Sequence, residues 1–127
     1  MRILAIDYGK KKIGLSLATS MIAQPYKVIR YDSEREVLEK IAKILQKEDV
    51  EEIVLGESEG KMGKESRKFG KKLAVQFNLP VHFQDETLTT HEAQELSLKA
   101  GIGRKKRKQF EDAYSATLIL QSYLEAE

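Results

Sequence analysis

The chain has 127 residues, 41% hydrophobic and 33% charged, with a formal net charge of +2 and no cysteine. That length suits one domain with a real core, so residues 1–127 are read as a single domain. Disulfides and thiolate zinc sites are excluded, no apolar run reaches the length of a membrane span or makes a leader, and so small a net charge sets up no global field that demands nucleic acid. A cytoplasmic protein without a membrane partner is expected.

Arg2-Ile3-Leu4-Ala5-Ile6 is a short apolar run ending on Asp7. Such a run reads as a central strand buried on both faces. Tyr8-Gly9 makes a turn, Lys10, Lys11 and Lys12 follow, and residues 13–19 predict a second strand, closing a hairpin. In that strand Ile13, Leu15 and Leu17 share one face, while Gly14, Ser16 and Ala18 share the other and let something approach closely. Pro25 precedes a third strand over 26–31 with edge character.

Ser33 and Glu36 form a capping box that opens a helix. Val37, Leu38, Ile41, Ala42, Ile44 and Leu45 carry it to about Lys47. A buried strand spans 52–56, and residues 57–64, with Gly60 and Gly63, read as a flexible loop. Phe69, Leu73, Ala74 and Phe77 predict a helix over 64–78, stopped by Pro80. A fifth strand covers 81–85. Thr89 and Glu92 open another helix through Ala93, Leu96 and Ala100, with Gly101 as its C-cap. Gly103 and residues 104–108 read as a linker before a last helix marked by Phe110, Ala113, Thr117, Leu120 and Leu124. The order β-β-β-α-β-α-β-α-α predicts an α/β fold: a mixed five-stranded sheet with helices on both faces.

A bare Asp at the end of a buried strand is costly unless something pairs with it, and a divalent metal or a lysine would serve. Other acids sit where elements meet loops: Glu57 after the fourth strand, Asp85 and Glu86 after the fifth, and Asp112 in the first turns of the last helix. Ligands gather at the carboxyl ends of parallel strands, so Asp7, Glu57 and Glu86 can reach one edge. Convergent carboxylates with few other donors favour Mg²⁺ or Mn²⁺. Two such ions about 4 Å apart can clamp the attacking and leaving oxygens of a phosphodiester. The plain alternative is that these acids are solvated or capping.

The cations are clustered. Lys10, Lys11 and Lys12 flank Asp7, Lys64, Lys68 and Lys71 share one helix face, and Arg104, Lys105, Lys106, Arg107 and Lys108 are consecutive. Such clusters hold phosphate backbones without reading sequence, though a lysine-rich face is also what ordinary solvated helices present. His82 and His91 have no metal-ligand spacing and are read as structural or exposed. No Ser-His-Asp pattern or Walker loop is present.

Asp7-Tyr8-Gly9 with Ile13-Gly14-Leu15-Ser16, then Ile53-Val54-Leu55-Gly56, then Asp85-Glu86-Thr87-Leu88-Thr89-Thr90 with Ala93, then Asp112-Ala113 with Ala116 and Leu120-Gln121-Ser122-Tyr123-Leu124, fall in one order along essentially the whole chain. This resembles the YqgF family, the pre-16S rRNA nucleases also described as Holliday junction resolvase-like. The resemblance implies a ribonuclease H-like fold and a metal-dependent nuclease of the bacterial cytoplasm that matures the 5′ end of small-subunit rRNA. It also implies that Asp7, Glu86 and Asp112 are the catalytic, metal-holding acids. Two positions depart from the family's usual pattern: Gly56-Glu57-Ser58 replaces Gly-Leu-Pro, and Thr87 replaces an arginine. Glu57 is then read as an acid beside the ligands or facing substrate.

The reading is a Mg²⁺- or Mn²⁺-dependent nuclease that takes structured RNA, or branched DNA, on its basic segments. The alternatives are a non-catalytic RNA-binding factor of ribosome assembly, a Holliday junction resolvase, and an actin-like nucleotide-binding module, which would need two such domains to enclose ATP.

Overall fold

A computed structural model describes residues 1–57, 60–85 and 104–126, with backbone alone for 104–112. The described residues form β1 (Ile3–Asp7), β2 (Lys12–Ala18), β3 (Ala23–Arg30), α1 (Glu34–Lys47), β4 (Glu52–Glu57), α2 (Gly60–Phe77), β5 (Val81–Asp85) and α3 (Arg104–Ala126). The five strands make one sheet in the order β3-β2-β1-β4-β5. β2 pairs antiparallel with β1 and with β3, while β4 pairs parallel with β1 and with β5. The carboxyl ends of β1, β4 and β5 therefore meet at one edge of the sheet.

Strand alternation splits the core in two. Leu4 and Ile6 of β1 join Ile13, Leu15, Ile53 and Leu55 on one face, packed against Val37, Ile41 and Ile44 of α1 and Phe69 and Leu73 of α2. Ile3 and Ala5 take the opposite face, with Val54 and Ala18, against Ile119, Leu120 and Leu124 of α3. Leu4, Ala5 and Ile6 are fully buried, as the apolar run predicts. On α3 the fully buried Ala113 and Ala116 keep the helix close to the sheet. Gln121 ties the helix to the β2–β3 turn: its Oε1 accepts from the Ala23 amide at 2.9 Å and its Nε2 donates to the Met21 carbonyl at 3.2 Å.

Both ends of α1 are closed by their own sequence. Ser33 is the N-cap and its hydroxyl accepts from the Glu36 amide at 3.2 Å. Glu36 reaches back to the Asp32 amide at 2.8 Å, one residue before the cap. At the other end Asp49 adopts a left-handed φ of 50°, which lets the Val50 amide reach the Leu45 carbonyl at 3.0 Å. That is the Schellman closure, with Asp in the place glycine usually takes.

Four expectations need correction. The third strand begins at Ala23, not Tyr26. Pro25 falls inside it, tolerated because β3 is an edge strand and the pairing register shifts between Leu15 and Ser16. The loop expected over 57–64 gives way to helix from Gly60, because Gly63 is buried and Lys61, Met62, Lys64 and Glu65 are good helix formers. The run 104–108 is not a linker but the opening of α3, since Arg and Lys also favour helix. Asp112 is consequently the ninth residue of that helix rather than part of its first turns. The predicted helix through Ala93, Leu96 and Ala100 lies outside the described residues.

The capping box makes a prediction. The bond from the Asp32 amide, and then Lys40, hold the exposed Glu36 carboxyl below its ordinary value of 4.5. A carboxylate lowered on folding adds stability above its unfolded pKa, and that stability is lost as pH falls through the folded value. Glu36→Gln should therefore unfold at lower urea than the parent chain at neutral pH, and the gap should close as pH drops below the carboxylate range. A gap that does not change with pH would mean that the charge contributes nothing to the cap.

Candidate active site

Asp7 ends β1, the middle strand of the sheet. On one side it pairs with Gly14 of β2. On the other, the last pair is Ile6 with Leu55, which leaves Asp7 level with Gly56 of β4. Residues opposite each other across strands share a face. Neither flanking position therefore carries a side chain, and the half-buried carboxylate stands in a slot between two glycines. By alternation Asp7 belongs to the face of Ile3 and Ala5, the face that α3 covers.

Glu57 ends β4 at the same edge, opposite Asp85 of β5. Its parity, however, is that of Ile53 and Leu55, so it stands on the other face, under α2. There its Oε1 pairs with Arg67 Nη1 at 2.5 Å. The preceding α2 residue, Ser66, is buried and donates its hydroxyl to the Gly56 carbonyl at 2.9 Å. Two consecutive residues thus lock α2 onto the end of β4. Nothing in the sequence pattern singled out Arg67, because its role depends on the docking of α2. Parallel pairing brings Asp7 and Glu57 to one edge, as expected, and the pleat separates them.

Glu86 and the side chain of Asp112 lie outside the described residues. The backbone of α3 still places position 112. Tyr123 donates its hydroxyl to Glu52 Oε2 at 3.2 Å, which sets the end of α3 against the start of β4. From Tyr123 back to Asp112 the axis covers roughly 16 Å at helical rise, and a five-residue strand covers about 13 Å between its end residues. Position 112 is thus level with the carboxyl end of β1, and it has the helical phase of Ala116 and Ile119, both fully buried. The backbone of 104–108 continues beyond that edge. Among the described residues no three His, Cys, Asp or Glu side chains group to hold a metal ion.

Beside Asp7 the chain forms a hollow of about 340 Å³ lined by Tyr8, Gly9, Lys10, Lys11, Lys12 and Arg30. The three lysines are where the sequence put them. Arg30 was missed, because it arrives through the pairing of β3 with β2, opposite Lys12. The turn that carries the lysines is held firmly. Gly9 has no room for a Cβ, which would lie 2.6 Å from the Lys12 carbonyl oxygen. The Tyr31 hydroxyl donates to the Gly9 carbonyl and the Tyr31 amide to the Lys11 carbonyl at 3.0 Å. Burial, then the neighbouring Tyr8, push the Tyr31 hydroxyl above the usual tyrosine range, so it stays protonated and donates. The Tyr8 ring rests on Phe69, centroids 4.7 Å apart.

Lys64, Lys68 and Lys71 are exposed on α2, which packs on the face away from Asp7. His82 has a structural part: its Nε2 lies 2.9 Å from Glu52 and its ring 5.4 Å from Tyr123. His91 lies outside the described residues.

A family model described as "RuvX: Holliday junction resolvase" matches residues 1–126. The chain belongs to the RuvX family. Curated RuvX relatives carry the provisional name pre-16S rRNA nuclease. One from Lactococcus lactis subsp. cremoris (strain SK11) is 40% identical over 98% of this chain and 94% of its own length. Another from Syntrophus aciditrophicus (strain SB) is 38% identical over 99% and 89%. The resemblance read from the motifs is borne out. The RuvX chain also superposes on a T. thermophilus RuvC in complex with a Holliday junction substrate, at TM-score 0.65 and 16% identity over 99% of this chain and 94% of that one. A fowlpox virus resolvase in complex with Holliday junction DNA gives TM-score 0.67 at 14% identity over 99% and 98%. Likeness at such identities shows the fold, the ribonuclease H-like α/β sheet expected from the sequence. RuvX proteins are nucleases, hydrolases of phosphodiester bonds, and this chain is one of them.

The lysine turn can be tested directly. Tyr31→Phe removes one buried hydrogen bond and should cost about 1 kcal/mol of stability, with faster amide hydrogen exchange at residues 10–12. Unchanged exchange there would mean that the Tyr31 hydroxyl does not hold the turn.

Proposed function

We propose that this chain is a divalent-metal-dependent nuclease of structured RNA, acting on pre-16S rRNA as the names of its relatives imply, and at its 5′ end as its resemblance implies. The observation that carries the reading is Asp7 at the end of the central strand, between two glycine positions that carry no side chain. Asp7, Glu86 and Asp112 would hold Mg²⁺ or Mn²⁺. Glu86 follows Asp85, the last residue of β5, and enters the set through the resemblance. Asp112 has the phase of the buried stripe of α3. All three donors are carboxylates, which fits a hard cation. When bound, such an ion polarises the phosphodiester and raises the nucleophilicity of water.

The remaining parts position the substrate. Lys10, Lys11, Lys12 and Arg30 border the slot and would take the phosphates flanking the scissile one. Arg104, Lys105, Lys106, Arg107 and Lys108 open α3 beyond the edge. Cations in a first helical turn oppose the helix dipole, and a bound phosphate would offset that cost. Lys64, Lys68 and Lys71 offer a separate contact surface beyond α2. Glu57 would hold Arg67 rather than the ion.

A second reading, resolution of four-way DNA by the same chemistry, rests on the description of the family. Assays on precursor rRNA and on four-way DNA with Mg²⁺, Mn²⁺ and chelator separate the two. Asp7→Asn and Glu86→Gln should each slow cleavage by roughly 10²-fold or more, the scale of several kcal/mol of lost charge stabilisation, with binding retained. Glu57→Gln should stay within about tenfold of the parent chain. A Glu57 variant more damaged than the Glu86 variant would overturn the assignment, and a wild-type chain that binds RNA but cleaves neither substrate with either metal would leave the RNA-binding factor.

A further inference from the structure

A second basic surface includes lysines that none of the sequence clusters contain. A groove of about 700 Å³ runs between β3 and α1, and its lining includes Lys27, Arg30, Lys40, Lys43 and Lys47. All five are exposed. The three α1 lysines stand at i, i+3 and i+7, one helix face. The groove also includes Val28, Ile29, Ile44 and the half-buried Tyr26.

The acids nearby are already engaged. Glu36 pairs with Lys40 at 3.1 Å, and Lys40 also donates to the Arg30 carbonyl at 3.2 Å, which braces the groove across its width. Glu48 accepts from the Tyr26 hydroxyl at 3.0 Å and pairs with Arg2 at 3.6 Å. Among the described residues no carboxylate pairs with Lys27, Arg30, Lys43 or Lys47. Lysines on an edge strand can serve merely to repel other strands, but that does not account for the two on α1. Arg30 lines both this groove and the hollow beside Asp7, so the two form one path around the edge of the sheet.

We propose that the β3–α1 groove docks a single-stranded segment of the nucleic-acid substrate, its phosphates held by Lys27, Arg30, Lys43 and Lys47 as the strand leaves the slot at Asp7. The proposal rests on the nuclease reading for what lies at the end of the path. A single strand fits better than a duplex, because a positive groove with an aromatic ring beside it suits backbone contact combined with base stacking.

The test measures binding in chelator, without chemistry, so its failure is separate from failure of the nuclease reading. Fluorescent single-stranded RNA and DNA oligonucleotides are titrated against the full chain and against the triple variant Lys27→Gln, Lys43→Gln, Lys47→Gln at several salt concentrations. Loss of three single-strand contacts should lower the slope of log affinity against log salt by about 2, at about 0.7 per contact. Equal losses with RNA and DNA would mark a pure backbone site, and a loss confined to RNA would add 2′-hydroxyl contacts; both support the groove. An unaltered slope, in a variant whose melting curve matches the parent, would overturn it. So would altered sedimentation with an unaltered slope, which would make the groove a surface for a second copy, or a parent chain that binds neither strand.

Discussion

Successive side chains of a strand point to opposite faces, and that alternation on β1 and β4 governs where each acid at the carboxyl edge stands. Asp7 shares its face with Ile3 and Ala5, Glu57 shares its face with Ile53 and Leu55, and so one sheet edge carries two carboxylates that start from opposite faces of the sheet. Burial of Leu4, Ile6, Ile53 and Leu55 makes the arrangement hard to change. A register slip of one residue would move each apolar set to the wrong side. The glycines at 14 and 56 complete the constraint by leaving both flanks of Asp7 without a side chain.

Around that slot the protein places positive charge in separate parcels, each fixed by a different device. The turn lysines are held by Tyr31 and by a glycine without room for a Cβ. Arg30 reaches the same hollow through strand pairing. The five cations that open α3 ride on a helix whose far end is anchored by Gln121 and Tyr123. Net charge is nearly balanced over the chain, so the proposed attraction for a polyanion would come from placement rather than from total charge.

Much of the fold was legible because its signals are local and periodic. Arg2-Ile3-Leu4-Ala5-Ile6 could only be a buried strand, Ser33 and Glu36 announced α1, and Phe69 and Leu73 had the spacing of a packed helix. The errors fell where local signals conflict with packing: Gly63 reads as a breaker until α2 is seen to bury it, and Arg104 to Lys108 read as solvated linker although the same residues prolong a helix. The site divides in the same way. The place of Asp7 at the end of β1 was evident from the apolar run before it. Arg30, Arg67 and the lysines of the β3–α1 groove carry no motif, since register and docking alone bring them together. The separation of Glu57 from Asp7 follows from parity, once the parallel pairing of β1 with β4 is known.

The proposed ion site is Asp7, on the α3 face of the sheet. Anomalous scattering from a crystal soaked in Mn²⁺ tests it most directly. The expected peak lies against Asp7 with Glu86 and Asp112 around it. A peak on Glu57 and not on Glu86, on the face under α2, would contradict it.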